Sequence, residues 1–418
     1  MTAAIATGAP RAGPRAGTDG PGEASRAPRY RVLLVHNYYQ QRGGEDAVVE
    51  AEEALLRAHG HEVRLYARRN DEIGAMSALR AARDALWSRR TVREIGAEIA
   101  AFRPDLVHAH NTFPLISPSL CWAVGDVPLV QTLHNFRLLC PQAMFLRNGA
   151  VCEDCLGRLP WRGALHRCYR ASLPQSAAVA AMIGVHRTIG SFAHKVALYL
   201  APSAFCRDKL IAGGLPAERI AVKPHFVDVA PPAEGARRGG LFVGRLAAEK
   251  GLDVLARALD EVPEAEIAVV GDGPESPRVR AHPRLRALGR LPRAEVLAAM
   301  RRAAYLVMPS ICFETFGLAA LEAFASGLPV IASRTGGLAD LVEDGRTGLL
   351  VAPGSAGALR DALRWAHSHA DALAQMGRNA RAAYERGYTG AANHELLMAA
   401  YARARNTQDA GNTRRPTQ

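Results

Sequence analysis

The sequence predicts an α/β protein of two doubly wound, Rossmann-like domains that face each other across a cleft. Three observations predict this. Short continuous Val/Leu/Ile runs alternate with helical patterns, as parallel strands covered on both faces do. The alternation comes in two series, with a Pro/Gly-rich piece from Val229 to Gly240 as the likeliest linker. The length of 418 residues suits two large domains.

In chain order, residues 1–28 are mostly Gly, Pro, Ala and Arg and read as a disordered tail without the apolar centre of a secretory signal. Arg31 to His36 reads as a buried strand, and Glu45 to His59 as a helix closed by Gly60. Further strands are expected at His61–Tyr66, Leu106–His110 and Leu129–Leu133. The second series starts near Leu198 and continues at Leu241–Val243, Ile267–Val270, Tyr305–Met308, Val330–Ala332 and Gly348–Val351. Its helices include Gly251–Leu259, Arg293–Arg302 and Gly317–Ser326. The expected domains are 29–200, with a cysteine-containing insert at about 138–170, and 201–385. Residues 386–405 read as a C-terminal helix and 406–418 as a loose tail.

Composition narrows the function classes. Hydrophobic residues make up 49% and charged residues 22%, an ordinary globular balance. No apolar run reaches the roughly 18 residues of a membrane-spanning helix. Seven cysteines are too few for a disulfide scaffold. The net charge is +12, and only Lys195, Lys209, Lys223 and Lys250 are lysines. A basic balance favours phosphates, nucleic acid or an acidic membrane surface without choosing among them. Aromatic-interleaved basic motifs are missing, so no nucleic-acid partner is expected. With no export signal, the expected location is cytoplasmic.

Three motifs carry chemistry. Gly43 and Gly44 lie between the first strand and the first helix, where glycines let backbone N–H groups approach an anion. Arg245 and Lys250 sit five residues apart in Val243–Gly251, after a strand. Two fixed cations there can stabilise charge developing on a diphosphate leaving group. Lysine is rare in this chain, which argues for a role at Lys250 that arginine would not fill. Glu314 and Glu322 stand eight apart, one expected in a loop and one on a helix; each carboxylate accepts bonds from paired hydroxyls.

Together these residues resemble the family 4 glycosyltransferases, which have the two-domain GT-B architecture. The resemblance covers about residues 30–400. It rests on the Gly43-Gly44 loop, Gly244–Gly251 (G-R-L-x-x-E-K-G), Val270–Gly273 and Glu314 with Glu322 (E-x7-E), which follow one another along the chain as in the family. It implies a donor site for a nucleotide diphosphate sugar made by Gly43, Gly44, Gly244, Arg245, Lys250, Gly271, Asp272, Glu314, Phe316, Gly317, Leu318 and Glu322. Within it Gly44 resembles the amide on the distal phosphate, Arg245 and Lys250 the diphosphate pair, Glu314 the carboxylate on the transferred sugar and Glu322 the one on the ribose. His134 resembles the active-site histidine, so His134, Arg245, Lys250 and Glu314 are the expected catalytic set. His225 stands where the family usually has Asn, and His108 and His110 read as structural or acceptor-side.

The resemblance further implies retention of anomeric configuration by front-face attack, a glycan or lipid-linked acceptor, and a setting in cell-surface polysaccharide or glycolipid assembly. No Asp-x-Asp pair occurs, in keeping with no catalytic metal and no required cofactor. It also suggests that the last helix crosses back to the first domain. Two other readings stay open: a catalytically silent nucleotide-sugar-binding subunit, and a nucleotide-sugar isomerase of the same architecture.

Two features remain. Cys140, Cys152, Cys155 and Cys168 combine one C-x2-C with two flanking thiols, which reads either as a structural zinc site or as unligated thiols. The stretch Ala177–Leu200, preceded by Trp161, Arg162, Arg167 and Arg170, reads either as a peripheral membrane contact or, preferably, as a buried helix.

Overall fold

The computed structural model describes residues 28–231 and 235–412. Residues 1–27 of the expected N-terminal tail, 413–418 of the expected C-terminal tail and 232–234 of the expected linker lie outside the described residues.

The first sheet contains β1 (Arg31–Tyr38), β2 (Glu62–Arg69), β3 (Leu106–Ala109) and β4 (Leu129–Thr132). A two-stranded antiparallel hairpin follows, β5 (Leu146–Arg147) and β6 (Ala150–Val151). The sheet resumes with β7 (Leu198–Ala201) and β8 (Ile220–Val222). Its order is β2-β1-β3-β4-β7-β8, and every pairing is parallel. The second sheet holds β9 (Gly240–Val243), β10 (Ile267–Val270), β11 (Leu285–Gly289), β12 (Tyr305–Met308), β13 (Val330–Ser333) and β14 (Gly348–Val351). Its order is β11-β10-β9-β12-β13-β14, again all parallel.

Burial explains the pattern. Val32, Leu33, Leu34 and Val35 in β1 are all fully buried, because helices cover both faces of the sheet. Leu33 and Val35 join one core cluster, Val32 and Leu34 the other. The second sheet likewise separates two clusters, with Leu241 on one side and Phe242 on the other. Consecutive strand residues point to opposite faces, so a run without polar breaks is what such a sheet requires.

The structure moves two boundaries. The strand at Leu198 does not open the second domain. It pairs with β4, and β8 pairs with it in turn, so the first domain extends to Val222 rather than 200. The C-terminal helix runs Gly390–Asn412, so residues 406–412 are helical rather than loose. That helix packs on the first sheet. Leu397, Ala400, Tyr401 and Ala404 share a cluster with Val32, Leu34, Val130 and Leu198.

The stretch Ala177–Leu200 divides into the helix Leu173–Thr188, a short turn of helix at Ser191–His194 and β7. Val179, Met182 and Ile183 are buried, as expected for a domain helix. No described helix is long and apolar enough to cross a membrane.

Candidate active site at the carboxyl ends of the two sheets

In both sheets the strand order reverses direction beside the first strand, between β1 and β3 and between β9 and β12. A crevice opens at such a point beyond the carboxyl ends of the strands. Gly43 and Gly44 follow β1, His110 follows β3, and His134 follows β4. Gly244, Arg245 and Lys250 follow β9, and Glu314 follows β12. The predicted residues therefore collect at two crevices, and the two crevices meet. A Cβ added at Gly44 would lie 3.8 Å from Leu318 Cδ2 of the other domain. Thr315 Oγ1 donates to the His134 carbonyl at 2.9 Å, and Ser203 Oγ donates to the Thr315 carbonyl at 2.7 Å.

The turn before the helix Gly44–Ala58 is held by Asp46. Its carboxylate accepts from Gly43 N at 2.8 Å and faces His36 Nε2 at 2.8 Å. Acidic Glu45 and Asp46 lie in the helix's first turn, where the dipole favours them. Glu45 accepts from Asn135 Nδ2 and from Tyr39 OH, each at 2.9 Å. Burial raises its pKa, while those bonds oppose the shift.

On the opposite wall, Lys250 Nζ donates to Glu314 Oε1 at 2.6 Å, and Ser310 Oγ donates to the same oxygen at 2.7 Å. Burial disfavours both charges, but the pair outweighs it. Glu314 is held below and Lys250 above its ordinary value, so both are ionised at neutral pH. Gly251, the next residue, has φ 71°, and a Cβ there would lie 2.0 Å from the Pro309 carbonyl. Only glycine lets the lysine turn pack this closely on the loop that carries Glu314.

Glu322 is on the helix Leu318–Ala325, as expected, with Gly317 as its N-cap. Its Oε1 lies 3.3 Å from Arg293 Nε. Burial raises its pKa against the pull of Arg293 and Arg42. Phe316 is buried against the edge of His225.

Two predicted residues are held by neighbours on their own loops. Arg245 pairs with Glu249, one turn along its own loop, and its charge also acts on Glu314, the partner of Lys250. The side chain of Asp272 accepts from Gly273 N at 2.8 Å and Ser276 Oγ at 2.7 Å. The short polar side chain closes its own turn, so this loop offers backbone to the crevice. Gly271 brings that backbone close: at φ 142°, its Cβ would lie 1.9 Å from the Gly244 carbonyl.

His134 sits in a stack. Its ring lies 5.3 Å from that of His110 and 5.2 Å from that of His225. Burial, then the neighbouring His225, His36 and Lys223, holds its pKa well below the usual value. His225, at the unusual position, is buried against the ring. Behind the stack lie Glu52 and Lys223, an ion pair buried on both sides. Sequence reasoning missed Glu45, Glu52 and Lys223. Lysine rarity flags Lys223 as well as Lys250; nothing local marks a glutamate inside a helix.

Cys140, Cys152, Cys155 and Cys168 line one small pocket in the insert, beside Asp154 and His166. A tetrahedral zinc with four thiolates needs sulfurs about 3.8 Å apart. Among the described residues, only Glu52, His108 and His110 place three ligand atoms within 4.8 Å of one another. The four thiols surround the pocket without closing on it. The Glu52 group is a poor cation site as well, because Lys223 already holds the carboxylate and both His108 nitrogens have partners.

Comparison with known proteins places this geometry. Residues 42–231 match the family model described as Glycosyltransferase Family 4, and residues 237–369 match that described as Glycosyl transferases group 1. A glycogen synthase of Mycobacterium tuberculosis is 31% identical over 316 residues, which covers 71% of this chain and 67% of that one. The chain belongs to the family 4 glycosyltransferases. A sulfoquinovosyl transferase of Arabidopsis thaliana is 30% identical over 283 residues, 62% of this chain and 49% of the relative. The chain thus spans from half to two thirds of the length of these two relatives. The structure of Anabaena HepE in complex with UDP-glucose superposes with a TM-score of 0.62 at 19% identity, covering 89% of this chain and 98% of that one. The fold of this family 4 chain is GT-B.

Proposed function

We propose that this glycosyltransferase moves a sugar from a nucleotide diphosphate sugar to a hydroxyl of a glycan or lipid-linked acceptor, with retention of configuration and without a catalytic metal. The observation that carries the reading is the Lys250–Glu314 pair facing the Gly43–Gly44 turn. It sets a cation and a carboxylate opposite a helix N-terminus, a set of charges complementary to a sugar diphosphate. Lys250, with Arg245 once released from Glu249, neutralises the departing diphosphate. The Gly44 N–H donates to the distal phosphate, which the helix dipole also favours. Glu314 accepts from sugar hydroxyls and Glu322 from the ribose. The acceptor hydroxyl attacks from the face the diphosphate leaves, and a phosphate oxygen takes its proton. The Anabaena neighbour's complex with UDP-glucose supports a nucleotide-sugar donor.

A lipid-linked acceptor is supported by one surface. From Leu156 to Arg207 the chain carries no Asp or Glu. Leu159, Trp161, Leu165 and Leu173 are exposed there. Arg158, Arg162, Arg167 and Arg170 among them make no ion pair with another described residue, whereas arginines elsewhere commonly pair with a carboxylate. Unpaired cations among exposed apolar side chains suit an anionic bilayer. Flotation with anionic but not zwitterionic vesicles is expected, and equal flotation or none would refute the contact.

The donor reading is tested by thermal shift with UDP-, GDP-, ADP- and dTDP-sugars, using Glu322→Ala as control. Stabilisation by one donor, lost in the control, is expected. Radiolabel transfer to an acceptor then separates an enzyme from a silent binding subunit. No shift with any donor overturns the reading.

A further inference from the structure

Behind His134 a line of buried ionisable side chains runs into the first domain. His134 Nε2 lies 3.1 Å from His110 Nδ1. The other nitrogen of that ring, His110 Nε2, lies 3.5 Å from Glu52 Oε2. Both atoms of this second contact are buried, neither makes a hydrogen bond of ordinary length, and the 3.5 Å between them is long for one. Each is the other's nearest partner, His108 Nδ1 being farther from Glu52 Oε2 at 3.8 Å, and a small closing of the gap spares both the full desolvation cost of an unmade bond.

The rest of the cluster fixes which way the protons point. Glu52 Oε1 accepts from Lys223 Nζ, and both side chains are buried. Burial would raise the Glu52 pKa, but Lys223 and His108 bring it below the ordinary value. The carboxylate is therefore ionised and only accepts. His108 does not compete for it. Its Nδ1 meets Tyr401 OH at 2.9 Å and its Nε2 meets Thr132 Oγ1 at 2.8 Å. Burial, then neighbouring histidines and Lys223, keeps His110 and His134 well below the usual pKa. Each ring is neutral and carries one proton.

One arrangement satisfies these conditions. His110 carries its proton on Nε2 and donates it to Glu52. Its Nδ1 is then a bare acceptor, so His134 must donate from Nε2. The remaining nitrogen, His134 Nδ1, makes no hydrogen bond to a described residue. The flanking ring of His225, stacked at 5.2 Å and 20°, holds the plane of His134 in place.

We propose that Glu52, acting through His110, fixes His134 as the Nε2–H tautomer and so presents a bare Nδ1 to the substrate. Glu52 and His110 are positioning residues. The inference rests on reading His134 as part of the active site. It deepens that reading by naming the chemistry at one contact: the substrate group there is a hydrogen-bond donor, a sugar or acceptor hydroxyl. A carboxylate oxygen in that place would meet a lone pair, so a uronic acid placing its carboxylate there is rejected.

The test is a long-range 1H–15N correlation spectrum of the full chain labelled with [15N]histidine, at pH 7.5 without substrate. His134→Gln assigns the resonance. The expected spectrum shows His134 protonated on Nε2 and unprotonated on Nδ1. A ring protonated on Nδ1, or on both nitrogens, overturns the proposal. In Glu52→Gln, Lys223 keeps hold of the amide oxygen and the amide N–H faces His110. The relay then reverses, and His134 should change to the Nδ1–H form. Turnover should fall about tenfold or more while the donor still shifts the melting temperature. An unchanged tautomer in a folded variant overturns the relay. Should Glu52→Gln not fold, the wild-type spectrum decides alone. Because the spectrum is recorded without substrate, its outcome is separate from that of the donor panel.

Discussion

In the proposed reaction Lys250 is the residue on which the chemistry leans most. It is one of four lysines, and its ammonium is fixed by Glu314 and the loop that Gly251 allows to approach. Removing a preorganised charge from a developing leaving group costs about 10²–10³-fold in turnover. Lys250→Ala should show that loss in kcat with the fold intact by circular dichroism. Lys250→Arg should not restore the rate, because a planar guanidinium does not reproduce a point charge in this tight turn; rescue to wild-type turnover would contradict the assignment. At this scale the sequence was legible where a residue type was out of place. A lysine among arginines and a carboxylate among Leu318, Leu321 and Phe324 both stood out. Arg245 and Asp272 were placed by motif, but their side-chain direction depends on Glu249 and Ser276, and no spacing rule reports that.

At the scale of elements, the C-terminal helix Gly390–Asn412 is the piece whose removal should matter most. Leu397 is fully buried against the first sheet. Leu397→Ala should cost about 2–5 kcal/mol by the transfer and cavity terms, read as a lower denaturation midpoint. Tyr401→Phe leaves His108 Nδ1 without its partner and should cost about 1–3 kcal/mol. Strands with continuous apolar runs were legible to within a few residues: Ile267–Val270, Tyr305–Met308 and Gly348–Val351 match β10, β12 and β14. Those missed lie at edges or in the insert. In β11 only Leu285 is buried, and β8 has three residues with one of them buried. An edge strand buries too little to leave a run.

Across the whole molecule, stability should depend on acid in a defined window. Burial first, then Lys223, pushes the pKa of His225 down to about 3; burial pushes that of His108 down to about 4. In the unfolded chain both take up a proton near 6.5. Between those limits the unfolded state binds more protons, so stability is fully present above about 6.5 and declines as pH falls toward 4. Each such histidine adds up to about 1.4 kcal/mol per pH unit to the slope. The melting temperature should fall between pH 7 and pH 5, and His225→Asn should make the decline shallower; an equal slope would show that His225 is not buried neutral. Turnover should also survive a chelator, with reversible loss in folded protein as the contrary result. The two-domain architecture was legible because two series of strands are separated by a Pro/Gly-rich piece. The boundary was not, since β7 and the helix after it read alike in either domain. Only the pairing of β7 with β4 assigns them.

The chain passes between the domains twice, once after Val222 and again before Gly390, and the two passages are bonded together. Asn393 Nδ2 donates to the Pro224 carbonyl at 2.7 Å, and Tyr384 OH donates to the Val227 carbonyl at 2.8 Å. A body joined to another by one strap can swing and twist freely. Joined by two straps laced side by side, it turns about a single line, like a door on two pins. On such a hinge any swing of one domain would carry the Gly44 turn along one arc, away from Leu318 and back to the same place beside it.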